Sequence, residues 1–374
     1  MIAQGRTTRV LIVDDSAVMR SALRSVISGD PRLEVAGTAV DGATALQSIA
    51  VLEPDVVLLD VEMPVMDGLT TLKRLRAQNS RLPVIMVSSV THRGARVTIE
   101  ALASGASDYV AKPPAQSDRE AAVRTLAEEL CPKIHALAQK ARAAECMKHA
   151  PRAAIQAGPP ATHAPAVVAI GVSTGGPAAL EEMLPRLPGT FPLPVLVVQH
   201  MPEMFTSLLA ERLDKTCALR VVEAADGEAV MPGRIVIARG GHHLEIARSS
   251  DGVNAPVVRL TREPEENHCR PSVDVLFRSL ARVYGGCVMA MILTGMGSDG
   301  VAGCRLLRRL GATIVVQDEA SSTVWGMPGA VAAEGLADRV LPLAQIPWEM
   351  QRIARSAGLH ARWCGRQRFE RAAH

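Results

Sequence analysis

Ser173 sits in Gly171-Val172-Ser173-Thr174-Gly175-Gly176, directly after the apolar run Ala166 to Ile170, which puts a hydroxyl where a strand should turn into a helix. Such a turn can present a nucleophile, but a glycine-rich strand-to-helix turn also cradles phosphates and dinucleotides. A serine hydroxyl is inert at neutral pH without a base. His200 follows Val195 to Val198 as Ser173 follows its own run, so two adjacent parallel strands would bring both side chains to one edge. A carboxylate must then fix the imidazole tautomer. Asp299 qualifies, lying in Thr294-Gly295-Met296-Gly297-Ser298-Asp299-Gly300 after the run Val288 to Leu293. The glycines there let the backbone approach closely and leave the Met296 N–H able to donate to an oxyanion. Asp274 and Asp226 are alternative acids, although neither directly follows a buried-type strand.

The order serine, histidine, acid argues against an α/β-hydrolase, in which the acid precedes the histidine. The dinucleotide alternative weakens because the segment does not fit G-x-G-x-x-G, and it lacks the G-K-[ST] of a P-loop. His242-His243 and His268-Cys269 do not make a zinc site, since adjacent strand residues point to opposite faces and no second ligand pair lies at helical spacing.

A second set of polar residues lies near the N-terminus. Asp14-Asp15 end one apolar run, Asp60 another and Ser88 a third, and Lys112-Pro113 follow a fourth. Three carboxylates at one sheet edge repel one another unless a cation sits among them, and oxygen-only ligands suit Mg²⁺. With Mg²⁺ and Lys112 to neutralise charge, Asp60 could accept a phosphoryl group, and Ser88 could bond one of its oxygens.

These residues need parallel sheets to position them. Strand candidates Val10 to Val13, Glu34 to Ala39, Val56 to Leu59, Val84 to Val87 and Tyr109 to Ala111 alternate with amphipathic stretches. Ser16 and Asp67 stand where helix caps belong. From residue 117 to 148 the chain is charged and alanine-rich with Val123, Leu126, Leu130, Ile134 and Leu137 at helical spacing, interrupted by Pro132. Residues 150–165, with Pro151, Pro159, Pro160 and Pro165 and no periodicity, read as a linker. A second alternation follows: Val167 to Ile170, Val195 to Val198, Ile235 to Ala238, Val257 to Leu260, Val288 to Leu293 and Thr313 to Val316. The stretch from Gly233 to Leu260 looks like hairpins, so part of this second sheet is expected to be antiparallel. The tail 357–374 is basic and is expected to be flexible.

Composition fits this picture. The chain has 374 residues, enough for two cores, and only 2% of them are aromatic, so those cores are aliphatic. A net charge of +3 is too small to argue for nucleic-acid binding, no basic stretch is interleaved with aromatics, and the long α/β pattern with a serine turn after the linker does not supply the compact basic helix-turn-helix of a DNA-binding regulator. Seven cysteines without a C-x-x-C pair fit a reducing compartment. No apolar run approaches about 18 residues and no signal peptide is evident, so a cytoplasmic protein is expected.

The segments Val10 to Ser16, Val56 to Asp60 with Met63-Pro64 and Asp67-Gly68, Val87-Ser88 and Tyr109 to Pro113 resemble the receiver domain of bacterial response regulators. That resemblance implies a doubly wound, five-stranded parallel, flavodoxin-like α/β domain over residues 1–125. It also implies phosphorylation of Asp60 by a histidine kinase, Mg²⁺ held by the acidic group (Asp14, Asp15, Asp60) and the Glu62 carbonyl, and Ser88, Tyr109 and Lys112 as switch residues. Ile170 to Pro177, Val198 to Pro202, Pro232 to His243, Arg270 to Phe277, Ile292 to Gly303 and Gln317 to Pro328 resemble the chemotaxis protein-glutamate methylesterases. This second resemblance implies a doubly wound, mostly parallel α/β hydrolytic domain over 166–356, joined by a helical and then Pro/Ala-rich linker over 126–165. The implied activity is hydrolysis of glutamyl methyl esters, and deamidation of certain glutamines, on methyl-accepting chemotaxis receptors. No cofactor is expected for hydrolysis, and membranes are met only through those receptors. The same resemblance implies Ser173 as nucleophile, His200 as base, Asp299 as its orienter and Met296 N–H as oxyanion donor, with the unphosphorylated receiver covering the serine. Arg239 departs from the family, which usually has proline there.

Overall fold

The computed structural model describes residues 6–355 except 79, 90, 114–117, 147–162 and 250–254. The chain divides into two compact units, Met1–Arg152 and Ala153–His374. The proline-rich linker and the basic tail expected from sequence lie largely outside the described residues.

In the first unit, β1 (Thr8–Val13), β2 (Leu33–Ala39), β3 (Val56–Asp60), β4 (Val84–Ser88) and β5 (Asp108–Ala111) form a parallel sheet in the order β2-β1-β3-β4-β5. The strands β3 and β4 are buried along their whole length, as the continuous apolar runs require of a sheet covered on both faces. Helices α1 (Ala17–Ser28), α2 (Gly42–Leu52), α3 (Gly68–Ala77) and α4 (His92–Ala103) connect them. Each starts at a short polar cap: Ser16, Asp41, Asp67 and Thr91 accept from the backbone N–H three residues on. Chain order reverses between β1 and β3, so the functional crevice of such a sheet lies beyond their carboxyl ends.

Helix α5 (Arg119–Cys146) closes this unit and runs unbroken past Pro132. Ending the first domain at residue 125 therefore cuts through a helix. Its later turns bury Leu126, Leu130, Ile134 and Leu137, His135 bonds Asp30 at 2.7 Å, and Arg142 pairs with Asp55 at 3.2 Å. This anchoring on both sides of Pro132 outweighs the roughly 3 kcal/mol that an interior proline costs.

The second unit is built on seven parallel strands in the order β14-β13-β12-β6-β7-β9-β8. They are β6 (Val167–Val172), β7 (Val195–Gln199), β8 (Arg220–Glu223), β9 (Arg234–Ile237), β12 (Val288–Ile292), β13 (Thr313–Gln317) and β14 (Arg339–Leu341). The covering helices are α6 (Gly176–Met183), α7 (Glu203–Asp214), α8 (Val273–Tyr284), α9 (Val301–Arg309) and α10 (Met327–Ala333). The expectation of antiparallel strands within this sheet is corrected. The antiparallel pair β10 (His243–Arg248) and β11 (Pro256–Thr261) is a separate two-stranded sheet. Its Leu244, Ile246 and Val258 share a buried cluster with Leu276, Phe277 and Leu280 of α8. Short edge strands β8 and β14 were not anticipated, because Arg220, Glu223 and Arg339 break the apolar pattern. Chain order reverses between β12 and β6, which sets the crevice of this unit.

Candidate functional site

Ser173 leaves β6 into a turn that only small residues permit. Gly175 has φ 77°, and a Cβ there would meet Thr323 at 2.3 Å. A Cβ on Gly176 would meet Gln199 Oε1 at 1.9 Å. The backbone of the turn is tied to both neighbouring strands: Ser173 N–H donates to Thr294 O at 3.0 Å, and Gln199 Nε2 donates to Ser173 O at 3.0 Å. The buried Thr294 hydroxyl, which donates to Thr174 O at 2.8 Å, locks the loop after β12 against the loop after β6. Gly295 lies directly against the serine, since a Cβ on it would fall 2.8 Å from Ser173 Cβ. Met296 comes next in chain, and among the described residues no carbonyl takes its N–H.

His200 extends β7 by one residue, its N–H donating to Val172 O at 3.2 Å. Its imidazole is largely buried, with Nε2 2.8 Å from Asp299 Oδ2 and Nδ1 3.4 Å from Cys269 Sγ. Burial opposes a charge on the ring, but hydrogen bonds with Asp299 and Cys269 outweigh it, and the pKa is pushed up to about 9. Among the described residues the Ser173 hydroxyl has no hydrogen-bond partner, His200 included; catalytic contacts commonly tighten only with substrate present.

Asp299 is buried at the N-terminus of α8. It accepts from Val273 N–H at 2.7 Å, Asp274 N–H at 3.1 Å, Ser272 Oγ at 2.8 Å and Asn267 Nδ2 at 2.9 Å. Burial alone would raise its pKa, yet His200 and these donors hold the carboxyl at about 2. The two alternative acids are engaged elsewhere: Asp274 accepts from Gly303 N–H at 2.6 Å, and Asp226 from Leu260 N–H at 2.8 Å. The sequence offered Cys269 only as half of a rejected metal pair and showed no sign of Asn267 or Ser272, yet all three surround the His200–Asp299 pair. They come from the irregular segment before α8, where no periodicity points inward. Arg239, the departure from the family pattern, lies in the loop after β9 and forms an ion pair with Glu203 of α7.

In the first unit, Asp14, Asp15 and Asp60 each bring a carboxylate oxygen within 4.8 Å of the others. Lys112 Nζ lies 2.8 Å from both Asp14 and Asp60. Burial raises the Asp60 pKa to about 6 despite Lys112, with Asp14 adding to the rise. Burial works against the Lys112 charge, but the two carboxylates prevail and raise its pKa. A cluster of oxygen donors with excess negative charge fits a hard divalent cation. The Glu62 side chain is exposed and pairs with Arg93 at 3.3 Å, leaving only its carbonyl in the expected role. Ser88 ends β4, buried. Tyr109 is buried too, with the Lys133 ammonium 5.4 Å from its ring centroid and donating to its carbonyl at 2.7 Å.

Fold and sites together define a two-part α/β protein, one unit carrying an acidic edge in contact with a lysine and the other a serine, a histidine and an aspartate at a switch point. Residues 10–124 match the response regulator receiver domain and residues 168–350 match the CheB methylesterase domain. A protein-glutamate methylesterase/protein-glutamine glutaminase of Nocardioides sp. is 46% identical over 93% of this chain and 96% of its own length. One from Trichodesmium erythraeum is 43% identical over 92% and 98%. The solved CheB methylesterase catalytic domain of Thermotoga maritima is 42% identical, covering 50% of this chain and 98% of that one with a TM-score of 0.49. The chain belongs to the protein-glutamate methylesterase/protein-glutamine glutaminase family.

Proposed function

We propose that the second unit hydrolyses glutamyl methyl esters, and deamidates particular glutamines, on methyl-accepting chemotaxis receptors. The observation that carries this reading is the 2.8 Å contact between His200 and Asp299 beside the Ser173 turn. His200 takes the Ser173 proton as the hydroxyl attacks the ester carbonyl, and Asp299 compensates the imidazolium. The Met296 N–H donates to the oxyanion. The proton passes to the departing methanol, or to ammonia from a glutamine, and water then resolves the glutamyl-serine ester by the same base. None of these steps uses a cofactor.

The first unit controls the second. A histidine kinase phosphorylates Asp60, Ser88 and Tyr109 respond to the phosphoryl group, and hydrolysis rises. Asp14, Asp15, Asp60 and the Glu62 carbonyl would hold Mg²⁺, which when bound would supply positive charge beside the transferred group, where Lys112 already lies 2.8 Å from Asp60. Among the described residues no helix is long and apolar enough to cross a membrane. The reading places the protein in the cytoplasm, meeting membranes only through its receptor substrates. A fluorophosphonate label is expected on Ser173, and Ser173→Ala is expected to lower methanol release from methylated receptor membranes by roughly three or more orders of magnitude. Near-normal release by that variant overturns the assignment.

A further inference from the structure

A base in a triad has two ring nitrogens and needs both: one faces the acid and the other the nucleophile. In this chain Asp299 has one of them, at 2.8 Å, and Cys269 has the other, at 3.4 Å. The serine hydroxyl is left without a partner among the described residues. We propose that Cys269 is a positioning residue for the base: its thiol holds the second ring nitrogen of His200, so the imidazole rests between a carboxylate and a thiol and must leave the thiol to serve Ser173.

Several observations separate this arrangement from a chance approach. Cys269 is placed from both sides, with its N–H donating to Glu266 O at 3.0 Å and its carbonyl accepting from Glu266 N–H at 3.2 Å. The next residue, Arg270, accepts from Gly241 N–H at 3.0 Å, which ties the segment to the loop after β9. Asn267, two residues earlier, bonds Asp299 itself. One short segment therefore supports the acid and occupies the base. The other charged groups near the pair are committed: Asp274 to Gly303 and Asn267, Arg278 to Glu266, and Glu203 to Arg239. Asp299 and Cys269 are thus the groups that govern how tightly His200 keeps its proton, and both favour the charged ring. Loss of the thiol should let the proton leave at lower pH and free the nitrogen for Ser173.

The catalytic consequence rests on the reading of His200 as base, whereas the contact itself does not, and the test keeps the two apart. The titration of His200 is followed by NMR in the full-length chain labelled at histidine Cε1, with the signal assigned through His200→Gln. Cys269→Ala and Cys269→Val are compared with the unaltered protein, the valine guarding against a packing fault. Both variants are expected to lower the midpoint by about one pH unit, a tenfold loss of proton affinity. Below that midpoint, kcat/KM for methyl-ester hydrolysis is expected to exceed that of the unaltered protein. A midpoint unchanged in both variants overturns the role of Cys269 and leaves His200 as base. A midpoint that falls while the acid limb of hydrolysis stays put supports the contact and overturns the base.

Discussion

Asp60 combines burial with chemistry at an energetic cost. Its folded pKa of about 6 lies above the ordinary value of 3.8, so the native state binds the proton more tightly than the unfolded chain does. The favourable contribution is complete below about pH 4 and is lost as pH rises through 6, costing up to about 3 kcal/mol at neutrality. In metal-free buffer the first unit is expected to weaken across that window, and Asp60→Asn to abolish most of the slope. Adding Mg²⁺ should restore stability to the unaltered protein and do little for the variant; unfolding followed at pH 4, 5, 6 and 7 checks both. Val65 is strained for a different reason. It is β-branched, 87% exposed, and held at φ 64° in the loop between β3 and α3. Val65→Gly relieves a conformation that costs a side chain roughly 1–2 kcal/mol and is expected to raise stability by about 1 kcal/mol. No gain in the denaturant midpoint of the first unit would show that the loop relaxes around valine.

At the scale of elements, the pairing of α8 with α9 matters most, because α8 caps Asp299 and α9 begins just after it. Gly303 of α9 packs on Phe277 of α8, where an added Cβ would lie 2.5 Å from Phe277 Cβ. Gly303→Ala is expected to cost about 1–3 kcal/mol by overpacking, measurable as a lower unfolding midpoint of the second unit. The elements also explain what could be read from sequence. Parallel strands buried on both faces are uninterrupted apolar runs, so their ends, and with them Ser173, His200, Asp299 and Asp60, stand out. Strand order was not legible, and neither was the separation of β10 and β11 from the main sheet, because both depend on where long connections travel. Cys269, Asn267 and Ser272 were hidden for the same reason. They act from an irregular segment whose inward side is set by tertiary contacts alone, and His268-Cys269 suggested only a metal pair to be rejected.

For the whole molecule, the proposed control predicts that a small-molecule phosphodonor raises methanol release by the full-length chain. Asp60→Asn should remain at the basal rate with or without the donor. Equal stimulation of both proteins would show that the donor acts elsewhere. The arrangement of the second sheet carries a further consequence. The strand bearing Ser173 lies between the strands that lead to Asp299 and to His200, so the acid and the base meet across its end. They are 99 residues apart in the chain, and the acid comes last. A nascent chain therefore holds its serine and histidine long before it can join them to the acid. On the proposed reading of Ser173 as nucleophile, the chain would stay unarmed through most of its synthesis and would become reactive once the central strands have closed.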